Sequence, residues 1–279
     1  MTQVPNVTLK VGDVEVTAIY DMDFDVDRDR IFPSIAAEEW TGLEDFLTAE
    51  GKVRLTIVSY LIRSQGKTIL CDTGLGVVPG TQQPGALMDG LRAAGAAPED
   101  IDTVIFTHLH GDHTGWNITK VDGEPRLTFP NARYLIHELE WRHSSSPERA
   151  SNPAFIERLQ PLEPLGALTL LSGERTALTD EVTAVSTFGH TPGHVSLEIR
   201  SNGEEMLVQG DVVVHHVLLA RTEWTPRFDF EPEGAKKLRD EELKRWSDEH
   251  LLVAANHFPA PGFGYVEPDG DAWRWVPRA

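Results

Sequence analysis

The sequence has one cysteine in 279 residues, and this scarcity excludes two kinds of structural cross-link. Cys71 has no second cysteine to pair with, so an internal disulfide is excluded, and so is a structural metal site built on several thiolates. Cys71 ends the apolar run Ile69-Leu70-Cys71 and precedes Asp72. This setting is typical of a buried strand end, and we interpret Cys71 as a small core residue rather than a reactive thiol.

Long apolar runs are also missing from the sequence. It contains no run of about 18 apolar residues, the length that a membrane-spanning helix requires. The N-terminus lacks a charged region followed by an apolar segment and a small-residue cleavage site. The sequence therefore predicts a cytoplasmic protein that does not bind a membrane.

Basic residues are few, since 25 lysines and arginines face 44 aspartates and glutamates, which gives a formal net charge of -19. Nucleic-acid binding needs basic patches that neutralise phosphates, so a nucleic-acid partner is disfavoured. The same charge repels anionic substrates unless bound divalent cations reverse the local field. We therefore expect a small-molecule substrate that is neutral.

The order of predicted elements indicates a single α/β domain over residues 1–279. Apolar and polar residues alternate in pairs of runs that predict hairpins, and other runs have helical spacing. An acidic segment with scattered aromatics at about 21–51 predicts a packed arm with a short helix. The main predicted elements are hairpins at 7–20 and 56–71, helices at 86–94, from 138 and at 233–250, strands at 103–107, 132–137, 168–171, 182–186, 195–200, 205–209 and 251–255, and a surface insertion at 144–153.

The densest group of metal-binding side chains directly follows the apolar strand Val104-Ile105-Phe106. Residues two apart in an extended segment project to the same side, so the first two histidines of the group can converge on one ion. A glycine then permits a sharp turn that can direct the next aspartate and histidine to a second ion. Burying these side chains together is costly unless a cation organises them. The group consists of His108, His110, Asp112 and His113.

Three further candidates occur in loops next to predicted strands. His194 follows the turn-forming residues Thr191-Pro192-Gly193, which would hold its imidazole rigidly. Asp211 follows a buried strand, where its carboxylate could bridge two ions, and His257 follows the strand at 251–255. Imidazole and carboxylate without thiolate suit zinc, with manganese, iron, cobalt or nickel as alternatives. His190 could bind metal by its spacing alone.

This pattern resembles that of the metallo-β-lactamase superfamily, whose HxHxDH motif matches positions 108 to 113. The later histidine, the bridging aspartate and the last histidine of that family match His194, Asp211 and His257 in order and approximate spacing. The resemblance covers nearly the whole chain and implies a four-layer αββα sandwich. It also implies that Asp72, in Asp72-Thr73-Gly74, supports a ligand histidine from behind.

Carried over, the resemblance gives a complete dinuclear site. One ion would be held by His108, His110 and His194, the other by Asp112, His113 and His257, with Asp211 shared between them. The two metals would lower the pKa of a bridging hydroxide, place it for attack and polarise the substrate oxygen. The catalytic residues would be Asp211 and Asp112, and Asp112 could carry a proton to the leaving group. His190 is left out of this set.

Within the superfamily, the run from Asn256 to Val266 and the closing Trp273-Arg274-Trp275-Val276-Pro277 look most like methyl parathion hydrolase and its relatives. Those relatives hydrolyse phosphotriesters, aryl esters or lactones. Acyl-homoserine lactonases, a neighbouring group, carry a tyrosine shortly after the bridging aspartate, whereas this chain has Val212-Val213-Val214-His215. The resemblance thus implies a neutral ester, lactone or phosphotriester as substrate, and a homodimer formed through the arm.

Two alternative activities on the same fold remain open. One is thiolester or β-lactam hydrolysis, which the acidic chain and the lack of a basic clamp near the motifs disfavour. The other is a mononuclear iron enzyme of the sulfur-dioxygenase type, which the presence of both Asp112 and His113 disfavours. The sequence does not decide whether five further residues line the pocket or merely pack in the core: Phe24, Trp116, His215, His216 and Phe258.

Overall fold

The computed structural model describes residues 4–77, 81 and 83–278. The remaining residues include both ends of the predicted domain. Within the described part, two seven-stranded sheets and a separate hairpin account for the strands. The first sheet contains, in spatial order, β1 (Val7–Val11), β2 (Val14–Val26), β3 (Val53–Ser64), β4 (Lys67–Cys71), β5 (Thr103–Ile105), β8 (Arg133–His137) and β9 (Leu168–Leu171).

The second sheet is formed mainly by the C-terminal half of the chain. Its strands are antiparallel except where β13 pairs with β14. In spatial order it contains β10 (Arg175–Ala177), β11 (Val182–Ser186), β12 (Val195–Ser201), β13 (Glu204–Val208), β14 (Leu252–Ala254), β15 (Phe263–Asp269) and β16 (Ala272–Pro277). The separate hairpin consists of β6 (Ile118–Val121) and β7 (Glu124–Leu127).

Six α-helices occur in the described residues, and the hydrophobic clusters show which faces they cover. They are α1 (Arg28–Ile31), α2 (Leu87–Ala93), α3 (Glu138–Ser144), α4 (Pro153–Arg158), α5 (Val217–Ala220) and α6 (Pro232–Asp248). Four short 3-10 helices also occur in the described residues, at Ala37–Trp40, Glu44–Phe46, Pro98–Asp100 and Gln160–Leu162.

The four layers follow from the alternation of buried side chains along the strands. Val16 and Ile62 of the first sheet pack in one cluster with Leu197 and Val208 of the second, so this cluster fills the space between the sheets. A second cluster joins the outer face of the first sheet to α2 and α4. A third joins the outer face of the second sheet to α5 and α6. The predicted αββα sandwich is therefore confirmed.

Most predicted elements are present with small changes in their ends, while the arm starts later than expected. The first six residues of the predicted arm belong to β2, which continues to Val26. The rest includes α1 and two 3-10 helices, and buries Ile31, Phe32 and Trp40 in the cluster outside the second sheet. The arm is thus part of the outer layer beside the second sheet, and burial of its aromatic side chains there stabilises this position.

The long helix α6 shows how its sequence selects a face. Its buried residues are Ala235, Arg239, Leu243 and Trp246, whose spacing of three or four residues places them on one side of a helix. Arg239 is fully buried within this apolar stripe. A guanidinium is retained at such a position only when it is paired and hydrogen-bonded, and its partner Asp229 belongs to the site described below.

None of the helices in the described residues combines the length and the apolar character required to cross a membrane. Cys71 is buried between the sheets, as its sequence setting predicts. Burial raises the pKa of its thiol well above the ordinary value, and the neighbouring Asp72 carboxylate adds to the rise. Cys71 is thus held as a neutral thiol in the core.

Candidate metal centre

The histidine-rich motif forms the loop that follows β5, at the carboxyl ends of the parallel strands in the first sheet. Parallel strands β4, β5 and β8 lie side by side here, so the loops after β4 and β5 begin next to each other. The amide of Thr73 donates to the His113 carbonyl oxygen over 2.7 Å, and the amide of Asp72 donates to the Ile105 carbonyl oxygen over 2.9 Å. These hydrogen bonds tie the motif to the end of β4.

Three histidines converge in the first group of possible ligands. His108 Nε2 lies 2.9 Å from His110 Nδ1, which in turn lies 3.1 Å from His190 Nε2. These atoms belong to one set of donors that could surround a single ion. His108 and His190 are buried, and His110 borders a cavity.

A second group lies beside the first and combines two histidines with a carboxylate. His113 Nε2 is 3.3 Å from His257 Nε2, which is 3.5 Å from Asp112 Oδ2. These three residues form another set that could hold an ion. His257 follows β14 and has a positive φ of 65°, an uncommon conformation for a non-glycine residue, and its amide donates to the Thr56 carbonyl oxygen over 2.8 Å.

Asp211 lies between the two groups. Its Oδ2 is 3.8 Å from His108 Nε2 and 3.5 Å from His190 Nε2, which belong to the first group. The same oxygen is 3.4 Å from His257 Nε2, and Oδ1 is 3.6 Å from His113 Nε2, both in the second group. A carboxylate with two oxygens in this position can contact an ion in each group.

His194 departs from the sequence prediction, because both of its ring nitrogens are used within the protein. The Asp211 amide donates to its Nε2 over 2.9 Å, so Nδ1 carries the ring proton and donates to Thr187 Oγ1 over 2.8 Å. Its ring therefore has no lone pair left for a metal. The structure places His190 beside His108 and His110 instead, and His194 acts as the acceptor that positions the backbone of Asp211.

Two buried carboxylates fix the orientation of two of the clustered histidines from behind. Asp72 Oδ2 accepts from His113 Nδ1 over 2.8 Å, and Asp229 Oδ1 accepts from His190 Nδ1 over 2.9 Å. When either ring is neutral, its proton is on Nδ1, which leaves the Nε2 lone pair facing the cluster. Asp72 occupies the position that the resemblance implies. Asp229 was missed by the sequence analysis, because an aspartate in a loop with no motif gives no signal.

Glu140 links the loops that carry the two parts of the first group. Its Oε1 accepts from the Leu109 amide over 3.1 Å, and its Oε2 accepts from the Gly193 amide over 3.0 Å. A Cβ atom on Gly193 would lie 2.3 Å from the Glu140 nitrogen, so only glycine allows this approach. Glu140 is buried and holds the loops together, although its sequence position at the start of α3 gave no indication of this role.

The protonation states at the cluster follow from burial and from its carboxylates. Burial lowers the pKa of His110 to about 3, with His190 adding to the effect, so this ring is neutral. Burial alone would raise the pKa of Asp211, but His257 and His113 hold it well below its ordinary value, so the carboxylate is ionised. Burial would lower the pKa of His113 and His190, but Asp211 and Asp72 raise it for His113, and Asp229 and Asp211 raise it for His190. Neutral imidazole and ionised carboxylate are the forms that bind metal ions, so an ion entering the cluster would displace protons from these two rings.

The donor atoms fit divalent metal ions. Asp211 Oδ1 is buried and has no hydrogen-bond partner in the described part of the chain. The five ring nitrogens around it point at each other rather than at hydrogen-bond donors, an arrangement that a bound cation would stabilise. Imidazole nitrogen with carboxylate oxygen is a donor set that suits zinc and its neighbours in the first transition series.

Two cavities meet at this cluster and share His110, Gly111, His190 and Phe228 as walls. One has a volume of about 340 Å³ and reaches both ligand groups. We call it the apolar cavity, because many of its lining side chains are apolar: Phe24, Val26, Ile31, Leu55, Leu75 and Val214. The other, of about 410 Å³, reaches only the first group, and we call it the polar cavity for its lining residues His143, Arg149, Asn152 and Arg227.

The residues that the sequence left undecided now divide into three kinds. Phe24 lines the apolar cavity. Phe258 is buried against Trp275 in the outer cluster of the second sheet, and the Trp116 indole donates to Asp21 Oδ1 over 3.3 Å beside the outer cluster of the first. His215 and His216 border a third, smaller cavity, whose lining includes none of the seven clustered histidines and aspartates.

Metal-dependent hydrolases of the metallo-β-lactamase superfamily combine this αββα sandwich with a histidine and aspartate cluster at one edge. The family model of the metallo-beta-lactamase superfamily matches residues 54–257. The chain belongs to this superfamily, and the matched segment contains every member of the cluster.

Among curated proteins, the chain is similar to the N-acyl homoserine lactonase AttM of Rhizobium radiobacter, with 30% identity over 130 residues. That alignment covers 44% of this chain and 46% of AttM, so the chain spans about half the length of this relative. The N-acyl homoserine lactonase of Bacillus cereus is 24% identical over 173 residues, which cover 56% of this chain and 62% of that protein.

Two solved structures match over the full length. The hydrolase AbOPH of the beta lactamase superfamily has a TM-score of 0.85 and 26% identity, with 100% of this chain and 99% of that chain covered. The dizinc quorum-quenching lactonase AidC, solved with a homoserine product, has a TM-score of 0.83 and 23% identity, with the same coverage. At that identity AidC is informative about the fold alone.

Proposed function

We propose that this protein is a dinuclear metal-dependent hydrolase of a neutral ester, lactone or phosphotriester. The observation that carries the proposal is the position of Asp211, whose carboxylate lies within 3.4–3.8 Å of histidines from both ligand groups. His108, His110 and His190 would hold one ion. Asp112, His113 and His257 would hold the other, with Asp211 shared.

Two divalent ions, proposed to be zinc, would activate water as a bridging hydroxide and polarise the carbonyl or phosphoryl oxygen of the substrate. The protein residues hold this arrangement in place. Asp72 and Asp229 fix the tautomers of His113 and His190, and His194 anchors the Asp211 backbone. Asp112 is about a quarter exposed and lines the apolar cavity, where its carboxylate can carry a proton to the leaving group.

Several features support a lactone or ester with an apolar substituent. The apolar cavity reaches both ligand groups, and its volume lies in the range of small-molecule sites. The curated relatives AttM and the Bacillus cereus protein are N-acyl homoserine lactonases by name. The residues that line the two cavities include no tyrosine, so leaving-group protonation is assigned to Asp112 rather than to a phenol.

The first experiment is elemental analysis of purified protein, coupled to hydrolysis of lactones, aryl esters and phosphotriesters with and without chelator. We expect about two zinc or similar ions per chain and chelator-sensitive turnover, with the substrate panel ranking the three bond types. A single iron without hydrolysis would contradict the proposal and favour the mononuclear iron alternative. Turnover of thiolesters or β-lactams in preference to the panel would favour the other alternative.

The variant Asp211→Ala tests the shared ligand. Because the Asp211 carboxylate lies against histidines of both groups, we expect loss of most bound metal and of hydrolysis. A matched control is Asp240→Asn on α6. The Asp240 carboxylate pairs with Lys236 at 2.6 Å and is not part of the cluster. Full metal content and full rate in Asp211→Ala would overturn the site assignment.

A further inference from the structure

The polar cavity carries two arginines that are far apart in the sequence. Arg149 lies in the segment between α3 and α4, and Arg227 lies in the loop before α6. Both side chains are exposed, and neither guanidinium has a hydrogen bond or an ion pair with any residue of the described part of the chain. Arg227 instead lies 5.9 Å from the centre of the Phe228 ring.

The carboxylates in the wall of this cavity do not neutralise the two arginines. Glu140 is buried and accepts from the amides of Leu109 and Gly193. Asp229 is also buried, and it is held between His190 and Arg239, with Asp229 Oδ2 lying 3.5 Å from Arg239 Nη1. The charged groups that a ligand can reach in this cavity are therefore both cationic.

The polar cavity thus holds two unpaired guanidinium groups on a chain with a formal net charge of -19. Other exposed arginines of the chain are neutralised by carboxylates, such as Arg54 by Asp25 at 2.7 Å, whereas these two remain available to a ligand. A cavity wall of one sign focuses the field and attracts a ligand of opposite charge. The planar fork of a guanidinium matches a carboxylate in particular, because it can donate two parallel hydrogen bonds.

We infer that the polar cavity is a carboxylate subsite, in which Arg149 and Arg227 bind an anionic group of the substrate. This group lies on the side of the scissile bond opposite the apolar substituent. The inference rests on the proposed function and defines its substrate class: a neutral scissile ester or lactone with an apolar substituent on one side and a carboxylate on the other. His110 and His190 border the polar cavity, so the part of the substrate in this cavity would begin at the first ligand group.

This assignment revises one expectation drawn from the sequence. The acidic composition predicts a neutral substrate, and no basic clamp is visible near the motifs. The fold creates the clamp by bringing two distant loops to the same cavity. The reacting bond remains neutral, whereas the whole substrate carries a negative charge that the local field accepts.

The test compares dicarboxylates, from succinate to suberate, with their monoamides as ligands of the metal-loaded enzyme in calorimetry. Both members of a pair offer one carboxylate to the metal centre, and only the dicarboxylate offers a second to the arginines. At the chain length that spans the site, we expect the dicarboxylate to bind about tenfold tighter, since a charge-assisted hydrogen bond replaces a neutral one. The preference should decrease as salt is added.

Three charge-neutralising variants locate the effect. Arg149→Gln and Arg227→Gln should each reduce the preference, and the double variant should abolish it. Arg30→Gln is the matched control, because Arg30 is also exposed and lies beside the metal centre, but in the apolar cavity. Equal affinities for the two ligands in the wild type, or an equal loss in Arg30→Gln, would overturn the carboxylate subsite.

The calorimetry does not depend on turnover, so the two proposals fail separately. Dicarboxylate preference without any hydrolysis of esters, lactones or phosphotriesters would retain the subsite and contradict the proposed function. Hydrolysis of neutral substrates without dicarboxylate preference would retain the function and contradict the subsite. With both present, kcat/KM for an aryl ester should rise when its acyl chain ends in a carboxylate rather than a carboxamide.

Discussion

His190 Nδ1 donates a hydrogen bond of 2.9 Å to Asp229 Oδ1, and both residues are buried. Asp229 connects this histidine to Arg239 in the middle of α6, whose Nη2 also donates to the Trp224 carbonyl oxygen over 2.9 Å. A candidate metal ligand is therefore oriented by contacts that lead to a helix of the outer layer. Such supporting contacts fix which nitrogen of a histidine faces the metal.

The first prediction concerns this support. Asp229→Asn removes the charge that stabilises the His190 tautomer, so we expect affinity for one of the two ions to fall by about 10–100-fold. Metal release is measured by competition with a chromogenic chelator. Asp240→Asn removes a charge from α6 at a half-buried pair with Lys236 and should leave the release curve unchanged. Identical curves for the wild type and Asp229→Asn would contradict the role.

The second prediction separates the two histidines of the Thr191-Pro192-Gly193 turn. His190→Ala should lower the metal content from about two ions per chain to about one, because it removes a proposed ligand. His194→Ala should retain two ions but lose stability of about 1–3 kcal/mol, because the buried Asp211 amide loses its acceptor. Elemental analysis and thermal unfolding of both variants decide the matter. The opposite pattern would restore His194 as the ligand.

Removal of the metal should lower the melting temperature as well as the activity. Ions that bind only the folded state stabilise it by about 2.7 kcal/mol when present at 100 times their dissociation constant. Without them, the Asp211 carboxylate remains ionised and buried, with the partly exposed Asp112 carboxylate beside the same histidine, His257. Thermal unfolding with chelator, followed by zinc addition, measures this effect. An unchanged midpoint after verified metal loss would exclude a stabilising role.

A fourth prediction tests the apolar cavity. Phe24→Ala removes a large side chain from its wall, so kcat/KM for substrates with long apolar substituents should fall by about tenfold. This loss corresponds to part of the free energy gained when an aromatic ring is buried. Short substrates should be little affected. Phe188→Ala is the control, because Phe188 is similarly exposed but contacts His137 outside both cavities. Equal losses for short and long substrates would argue against a substrate contact.

The single thiol should be inert in the folded protein. Thiolate is the form that reacts with alkylating agents, and burial raises the pKa of Cys71 well above its ordinary value. We expect no modification by iodoacetamide at pH 8 in the native state and complete modification in denaturant, as measured by mass spectrometry. Stoichiometric labelling of the native protein would show that the strand end opens.

The parts of the fold that the sequence predicts are those with regular burial. Alternation marks the hairpins β1–β2 and β3–β4, and apolar spacing marks α2 and α6, because each element hides one face. The missed strands have weaker patterns. In β15, Gly264 and Pro268 interrupt the alternation of apolar and polar residues. In β6 and β7 no residue is fully buried, so neither strand shows an apolar face in the sequence.

The site was predictable where ligands are close in sequence and less so where a turn intervenes. His190 and His194 flank the same turn, and their spacing cannot tell which ring faces inward. That choice depends on the packing of the loop, since Gly189, with φ of 146°, lies against Ala235 of α6, where a Cβ atom would be 2.7 Å from Ala235 Cα. The meeting of Arg149 and Arg227 likewise depends on tertiary structure alone.

Phe228 is exposed and forms a wall of both cavities, 6.2 Å from the His110 ring between centroids. Under the proposed function, an ester that occupies both cavities would be cut at their junction, and its alcohol and acid fragments would lie in different cavities. Neither fragment blocks the exit of the other, so the two products can dissociate in either order. Each product should then inhibit without excluding the other, and a ternary complex of the enzyme with both products can form.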